Sequence, residues 1–184
     1  MRYTMSALVE NKPGVLNRVV SLFRRRNFNI DSLTVGRTHK PHVSRMTIVV
    51  DANRADAQLI KANLHKLVNV IDVKLLSNEP HVSRDLALIK VKANNPDARN
   101  TLTTICERYP TRIIDIGPEV AVLEVVAREQ IIEDLIAELG EPLSIVEMIR
   151  TGVVAMGRGT RVHDTQYQAS GTNGANGKVR TNGF

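Results

Sequence analysis

Two hydrophobic periods alternate along this chain, and their order constrains the fold more than any other feature of the sequence. In residues 2–10 every second side chain is apolar, which is typical of a half-buried strand. The next segment carries apolar side chains at the i, i+3, i+4 and i+7 spacing of an amphipathic helix. These helix positions are Leu16, Val19, Val20 and Phe23. We therefore predict a strand and then a helix that buries these four side chains.

The same periods continue and predict a βαββαβ order for residues 1–77. Strands are expected at residues 30–38 and 43–51, joined by the polar loop "RTHKPH". A second helix and a strand at residues 70–76 complete the unit. The apolar positions of that second helix are Ala57, Ile60, Leu64 and Leu67.

After the polar break "SNEPH" the same order appears again, over residues 80–158. The predicted elements are a strand at 86–92, a helix at 96–108, strands at 112–116 and 120–127, a helix around residues 132–139 and a strand at 143–151. Two consecutive split-βαβ units predict an α+β protein of two ferredoxin-like sandwiches, each a four-stranded sheet with two helices on one face. The other sheet face and the sheet edges need a cover, so self-association is expected.

Composition narrows the cellular setting. Apolar residues make up 42% of the chain but aromatic residues only 3%, so the core must be aliphatic. No apolar stretch approaches the roughly 20 residues of a membrane span, and the N-terminus lacks the apolar region of a signal peptide. The single cysteine, Cys106, excludes an internal disulfide. We expect a cytoplasmic protein without a membrane partner.

The net charge of +6 raises the question of nucleic-acid binding. Half of that charge belongs to the Gly- and Asn-rich segment after residue 157, and we predict residues 160–184 to be a disordered tail. Base-stacking aromatic residues and an RNP-type motif are missing. We therefore expect no nucleic-acid partner, although a ferredoxin-like nucleic-acid binder remains an alternative on charge alone.

Catalytic constellations are not evident. The five histidines are scattered without a zinc-protease spacing, and Cys106 falls on an apolar helix face, where a buried structural cysteine is the usual case. Glu133 and Asp134 are consecutive and so point in different directions on a helix. We expect neither a catalytic site nor a metal site on this chain.

The turn before the first helix suggests a ligand. Helix N-terminal N–H groups carry partial positive charge, which suits a carboxylate, and Gly14 permits a close backbone approach. Asn11 and Asn29 each supply an amide donor and acceptor, which suits an ammonium group or a carboxylate. Together they describe a site for a free α-amino acid. The alternative is that Asn11 caps the helix and Asn29 forms a turn.

Longer motifs carry a family resemblance. The stretch "LVENKPGVLNRVVSLFRRRNFNIDSLTVG" resembles the opening of an ACT domain, the amino-acid-sensing module of biosynthetic enzymes. The runs "SRMTIVVD", "LHKLVNVIDV" and "IVEMIRTGVVAMGRG" are similar to the regulatory (small) subunit of acetolactate synthase, also called acetohydroxyacid synthase. The resemblance covers residues 2 to about 159 and implies an ACT domain at 1–77 followed by the C-terminal domain of that subunit at 80–158.

The resemblance implies a regulatory role. Such a chain has no catalytic site or cofactor of its own and binds a separate catalytic subunit that carries thiamine diphosphate, Mg and FAD. It raises the activity of that subunit and confers feedback inhibition by valine, which lies between the ACT domains of a homodimer. The matching effector-binding positions are Asn11, Gly14, Val15, Asn29 and Ile30, with Val9 as a neighbouring candidate.

Three alternatives concern the identity of the effector, the role of one loop and the enzyme that is regulated. Apolar neighbours such as Val15 and Ile30 discriminate only weakly between branched side chains, so leucine or isoleucine could replace valine. The loop at residues 37–42 is either a contact for the catalytic subunit, through Arg37, His39 and Lys40, or a solvated hairpin loop. An ACT-type sensor for another biosynthetic enzyme is the remaining alternative function.

Overall fold

The computed structural model describes residues 1–159; the predicted disordered tail, residues 160–184, lies outside the described residues. The first unit contains β1 Arg2–Glu10, α1 Val15–Arg25, β2 Ile30–Arg37, β3 Val43–Asp51, α2 Arg54–Leu64, β4 Val70–Leu75 and a 3₁₀ turn at Leu76–Asn78. The second contains β5 His81–Lys92, α3 Pro96–Cys106, β6 Thr111–Ile116, β7 Val120–Ala127, α4 Glu129–Gly140, β8 Ile145–Arg150 and β9 Val154–Gly157. No helix in residues 1–159 is long and apolar enough to cross a membrane.

The first unit is a four-stranded antiparallel sheet in the order β2-β3-β1-β4. The antiparallel register of β1 and β3 places Met5 opposite Ile48, and both side chains are fully buried beneath the two helices. Phe23 of α1 and Ile60 of α2 close this core. The predicted ferredoxin-like fold is confirmed for this unit.

The second unit repeats the arrangement with the strand order β6-β7-β5-β8. Ile89 of β5 lies opposite Leu123 of β7, and both pack against Leu135 of α4 in a second aliphatic core. Asn95 begins α3 by accepting a hydrogen bond from the Ala98 N–H at 2.8 Å, as an N-cap residue does. The prediction of two consecutive βαββαβ units is therefore confirmed.

The strand β5 is longer than predicted, because its first four residues pair with a strand that the periodicity did not reveal. Residues 81–84 run antiparallel to β9, whereas the remainder of β5 joins the second sheet. We call these paired segments the β5–β9 ribbon. It packs on the face of the first sheet that the helices leave open, in a small cluster of buried side chains. That cluster contains Val49, Leu76, Val153 and Ala155.

Hydroxyl groups of the first sheet hold the segment that leads into β9. The Val153 N–H donates to Ser32 Oγ at 3.1 Å, and Thr34 Oγ1 donates to the Thr151 carbonyl at 3.3 Å. The Ala155 N–H lies 3.4 Å from Thr47 Oγ1, which accepts its hydrogen bond. The open face of the first unit is thus partly covered by the chain itself.

The apolar face of α1 differs from the prediction. The helix buries Val19 and Phe23 as expected, together with Val15 and Leu22, but Leu16 and Val20 are exposed. The prediction was wrong for these two residues because the apolar stripe on α1 is wider than the part of the helix surface that is buried in the core of one unit. Smaller differences are the ends of α3, at Cys106 rather than residue 108, and of β8, which spans Ile145–Arg150.

Candidate functional site

The helix α1 begins without a side-chain cap. Gly14 occupies the position before the helix in the left-handed conformation, with φ of 82°, and no side chain accepts a hydrogen bond there. The first N–H groups of α1 therefore keep the partial positive charge of a helix start. A Cβ atom on Gly14 would meet no heavy atom within 4 Å, so the backbone angle, rather than a close approach, requires glycine.

Asn11 does not cap the helix. Its Nδ2 donates to the Pro41 carbonyl at 3.1 Å, and its N–H donates to the His42 carbonyl at 2.8 Å. The alternative reading of Asn11 as an N-cap is therefore wrong. Asn11 instead fastens the β2–β3 loop against the turn that starts α1, so that both segments lie at one end of the first unit.

Asn29 lies at the other end of that unit. It is exposed, its Nδ2 donates to Asp31 Oδ1 at 3.0 Å, and the partly exposed Ile30 begins β2 beside it. The eleven residues of α1, a helix about 16 Å long, lie between Gly14 and Asn29. One copy of the chain therefore does not bring Gly14 and Asn29 to the same small ligand.

Two of the predicted effector residues are core residues. Val9 and Val15 are 1% and 4% exposed, and both belong to the aliphatic core beneath the helices. Their side chains position β1 and the start of α1 through packing. They offer little side-chain surface to a ligand in a single copy of the chain.

The predicted partner-contact residues lie at the end of β2 and on the β2–β3 loop. Arg37 and His39 are exposed, whereas Lys40 is partly exposed and donates its N–H to Thr38 Oγ1 at 3.1 Å. Thr38 Oγ1 in turn donates to the Val43 carbonyl at 2.9 Å. These bonds hold the loop in one shape and leave Arg37 and His39 available to a second surface.

An apolar strip runs beside the free edge of the first sheet. The outer edge of β2 has no strand partner among residues 1–159, and Val35 on it is exposed. On α1, Arg18 binds Asn69 Oδ1 and so marks the flank that faces β4. Leu16 and Val20 occupy the opposite flank, above β2. A free edge flanked by exposed apolar side chains is a surface suited to pairing with another chain.

A cavity of about 390 Å³ lies between the open face of the first sheet and the β5–β9 ribbon. Arginines from β2, β3 and β5 surround it, next to exposed apolar side chains of β9. Its principal lining residues are Arg37, Arg45, Val82, Arg84, Val154 and Met156. Sequence reasoning selected only Arg37, since the other residues are distant in the chain and no local motif links them.

Neither a metal-binding cluster nor an activated cysteine is found in the described part of the chain. Within residues 1–159 no three His, Cys, Asp or Glu side chains come close enough together to hold a metal ion. Burial raises the pKa of the Cys106 thiol above its ordinary value. At neutral pH this side chain is therefore a thiol rather than the nucleophilic thiolate.

Comparison with known families agrees with this architecture of an ACT unit and a second, similar unit. Residues 5–72 match the AHAS small subunit-like ACT domain, and residues 84–159 match the family described as the small subunit of acetolactate synthase. The chain belongs to the acetolactate synthase small-subunit family.

Individual relatives match most of the chain. The acetolactate synthase small subunit of Mycobacterium bovis is 43% identical over 159 residues, which is 86% of this chain and 94% of the relative. A probable acetolactate synthase small subunit of Archaeoglobus fulgidus is 42% identical over 161 residues, covering 88% and 99% of the two chains. The crystal structure of the acetolactate synthase small subunit from Thermotoga maritima superposes with a TM-score of 0.77 at 35% identity, covering 86% of this chain and 98% of the other.

Proposed function

We propose that this chain is the regulatory subunit of acetolactate synthase, that it activates a separate catalytic subunit in the cytoplasm, and that valine bound between two copies inhibits the assembly. Family membership supports the regulatory role. The observation that carries the effector site is the uncapped start of α1 next to a free, apolar-flanked β2 edge. Activation, valine inhibition and the dimer are the parts of this proposal that experiment must decide.

Strand directions explain why two copies would complete the site. β1 and β2 both run antiparallel to β3, so they are parallel to each other. Gly14 therefore lies at the end of the unit where β2 finishes, and Asn29 lies where β2 starts. If two β2 edges pair antiparallel about a two-fold axis, Asn29 of the second copy comes to the Gly14 end of the first copy.

The chemistry of such a site matches a free α-amino acid. The N–H groups at the start of α1 would hold the carboxylate, and the amide of Asn29 from the second copy would supply a further polar contact. Ile30 and Val35, both accessible on β2, would select a small branched side chain. Val9 and Val15 would act by supporting the turn from below. A ligand that bridges two copies favours one dimer geometry, which is how it would alter the activity of a third subunit.

The catalytic subunit would supply all of the reaction chemistry. In this proposal thiamine diphosphate, Mg and FAD belong to that subunit, and this chain contributes binding energy and control. Arg37, His39 and Lys40 on the β2–β3 loop remain the proposed contact residues. Asn11 would link the two sites, since it fastens this loop to the turn at Gly14.

One titration tests the proposal. The rate of acetolactate formation by the catalytic subunit is measured with and without this chain, across concentrations of valine, leucine and isoleucine. We expect no activity from this chain alone, an increased rate in the mixture, and inhibition in which valine acts at the lowest concentration. An unchanged rate at saturating amounts of this chain would refute activation, and an activated but uninhibited enzyme would refute the effector site.

A further inference from the structure

We propose that the cavity between the first sheet and the β5–β9 ribbon, called here the arginine groove, binds a small organic anion. The groove is lined by Arg37, Arg45 and Arg84, together with apolar side chains of β5 and β9. Its expected ligand is an aliphatic carboxylate or phosphate monoester. This site is separate from the effector site at the start of α1 and does not depend on it.

The arginines of the groove lack carboxylate partners in the described part of the chain. Within residues 1–159, none of its three arginines forms an ion pair with a carboxylate; Arg84 Nη1 donates only to the Ser83 carbonyl, at 2.7 Å. The Nε of Arg45 is shielded from solvent and has no hydrogen-bond acceptor. A guanidinium N–H that is shielded from solvent and has no acceptor lowers the stability of the folded protein. An oxyanion in the groove would supply acceptors and balance the charge, since guanidinium binds carboxylate and phosphate with two hydrogen bonds.

The remaining wall of the groove is apolar. Val154 and Met156 of β9 are 48% and 57% exposed, and Val82 of β5 lies beside them. Exposed aliphatic side chains next to guanidinium groups fit a ligand with an apolar body and one anionic group. The volume of about 390 Å³ falls within the range of about 300–1,000 Å³ that small-molecule sites occupy.

The groove and the effector site lie on opposite faces of the first sheet. Thr34 lies opposite Thr47 in the β2–β3 pair, and both line the groove. Met46 and Ile48, the neighbours of Thr47 on β3, point instead into the core beneath α1. The sheet therefore separates the two ligands. Because the groove has walls from both units, an anion there would also tie the β5–β9 ribbon to the first sheet.

The test measures binding of defined probes to the full-length chain by isothermal titration. The probes are 4-methylpentanoate, 3-methylbutyl phosphate and the neutral 4-methylpentanamide, which matches the carboxylate in shape. The test variant combines Arg45→Met and Arg84→Met, which keep apolar bulk and remove two charges. The control variant is Arg54→Gln, an exposed arginine at the start of α2. Circular dichroism melting verifies that both variants fold.

We expect at least one anion to bind the wild-type chain and the control variant with equal affinity. The double variant should lose roughly tenfold or more, as expected when a charge-assisted hydrogen bond is removed, and the amide should bind at least about tenfold more weakly than the anion. Added salt should weaken binding of the anion, because it screens the attraction between the anion and the arginines. Whichever anion binds more tightly identifies the headgroup.

Three results would overturn the proposal. Equal affinity for the amide and the carboxylate would show that the groove binds the apolar part of the ligand and does not recognise its charge. Unchanged anion affinity in the double variant would place the anion elsewhere. Failure of both anions to bind the wild-type chain would refute the proposal. If the double variant then also lost binding to the catalytic subunit, the groove would be a docking surface for an acidic segment of that subunit. Valine titration of the same variant keeps the two sites distinct, because valine affinity should not change.

Discussion

At the scale of single residues, Gly14 is required by its backbone conformation and lies where an added side chain would affect a bound anion. Its φ of 82° is costly for any residue with a Cβ atom, by about 1–2 kcal/mol. The space around it is nevertheless open, so a side chain introduced there would project into solvent at the positive end of α1. The backbone cost and the effect on a bound anion can therefore be separated by substitution.

We expect Gly14→Asp to fold and to activate the catalytic subunit but to lose valine inhibition, because its carboxylate competes with that of the ligand. Its melting temperature should fall by a few degrees, as a cost of about 1 kcal/mol implies. Isothermal titration with valine, alongside the activation assay, provides the measurement. The matched control is Gly14→Ala, which introduces a Cβ atom at the same backbone angle without the charge and should retain most of the valine affinity. Wild-type valine affinity in Gly14→Asp would place the effector site elsewhere.

At the scale of secondary-structure elements, the turn between β8 and β9 determines how the two units join. Gly152 has φ of 82°, and a Cβ atom there would lie 2.6 Å from Ser32 Oγ and 3.1 Å from Thr34 Oγ1. On its N-terminal side, Arg150 binds the buried Asp85 through Nε at 2.9 Å and Nη2 at 2.5 Å. This ion pair fixes the end of β8, and the turn then directs the chain across the first sheet.

Gly152→Ala should therefore weaken the packing of the β5–β9 ribbon. Backbone strain and the displacement of Ser32 and Thr34 should together lower the free energy of unfolding by about 2–3 kcal/mol. The matched control is Gly140→Ala, at the end of α4, where a Cβ atom meets no neighbour and the change should be neutral or slightly stabilising. Hydrogen exchange at the amides of Val153 and Ala155 should accelerate only in the first variant. Equal protection of these amides in both variants would contradict this role of the turn.

Apolar runs with polar ends explain which elements the sequence predicted well. β1, β3 and β7 were predicted to the residue, because each is an apolar run of eight or nine residues bounded by charged residues or a polar turn. β9 was missed, since four residues are too few to show a period and their partner lies some 70 positions earlier. The start of β5 was missed because Asp85 interrupts the apolar pattern, and its burial depends on Arg150 from β8. Such pairings are set by tertiary structure, and local patterns do not reveal them.

The candidate site was only partly predictable for the same reason. Turn chemistry identified Gly14 and Asn29, but it did not show that α1 holds them far apart. The helical period grouped the exposed Leu16 with the core, since an apolar stripe looks alike whether it faces the interior or a second copy. The arginine groove draws its residues from four strands of both units, and no spacing in the sequence connects them.

At the scale of the whole molecule, the proposed dimer and the proposed contact with the catalytic subunit use different surfaces of the first unit. The dimer would use the β2 edge and the outer flank of α1, whereas the catalytic subunit would use the β2–β3 loop. These surfaces meet at Arg37, the last residue of β2. Away from Arg37, substitutions on one surface should leave the other function largely intact.

Leu16→Glu tests the dimer. Leu16 is 44% exposed in a single copy, so a charge there should cost little folding stability but should oppose burial against a second copy. We expect sedimentation equilibrium to show a shift toward monomer, with a parallel loss of valine affinity because the effector site needs both copies. Leu59→Glu on α2 is the control, since that leucine is also 44% exposed but lies on the other helix. A monomeric Leu16→Glu variant that still binds valine normally would refute the shared site.

Replacing Arg37, His39 and Lys40 together with serine tests the loop. The change removes charge and contact area from an exposed segment while the bonds made by Thr38 and Asn11 remain. We expect weaker activation at limiting concentrations of this chain, by several-fold, with valine affinity unchanged. A triple replacement on α2 with serine, of the exposed Arg54 and Gln58 and the partly exposed Lys61, would control for general loss of surface polarity. Normal activation by the loop variant would assign the catalytic-subunit contact to another surface.

The position of β9 near the end of the described chain has a consequence for synthesis on the ribosome. The first unit, complete by residue 78, emerges with Val49 and Leu76 uncovered, because Val153 and Ala155 leave the exit tunnel roughly 80 residues later. At about 5–20 residues per second this interval lasts roughly 4–16 s. During that time the nascent first unit displays a bare sheet face and a free strand edge, the kind of surface that invites premature association between neighbouring nascent chains.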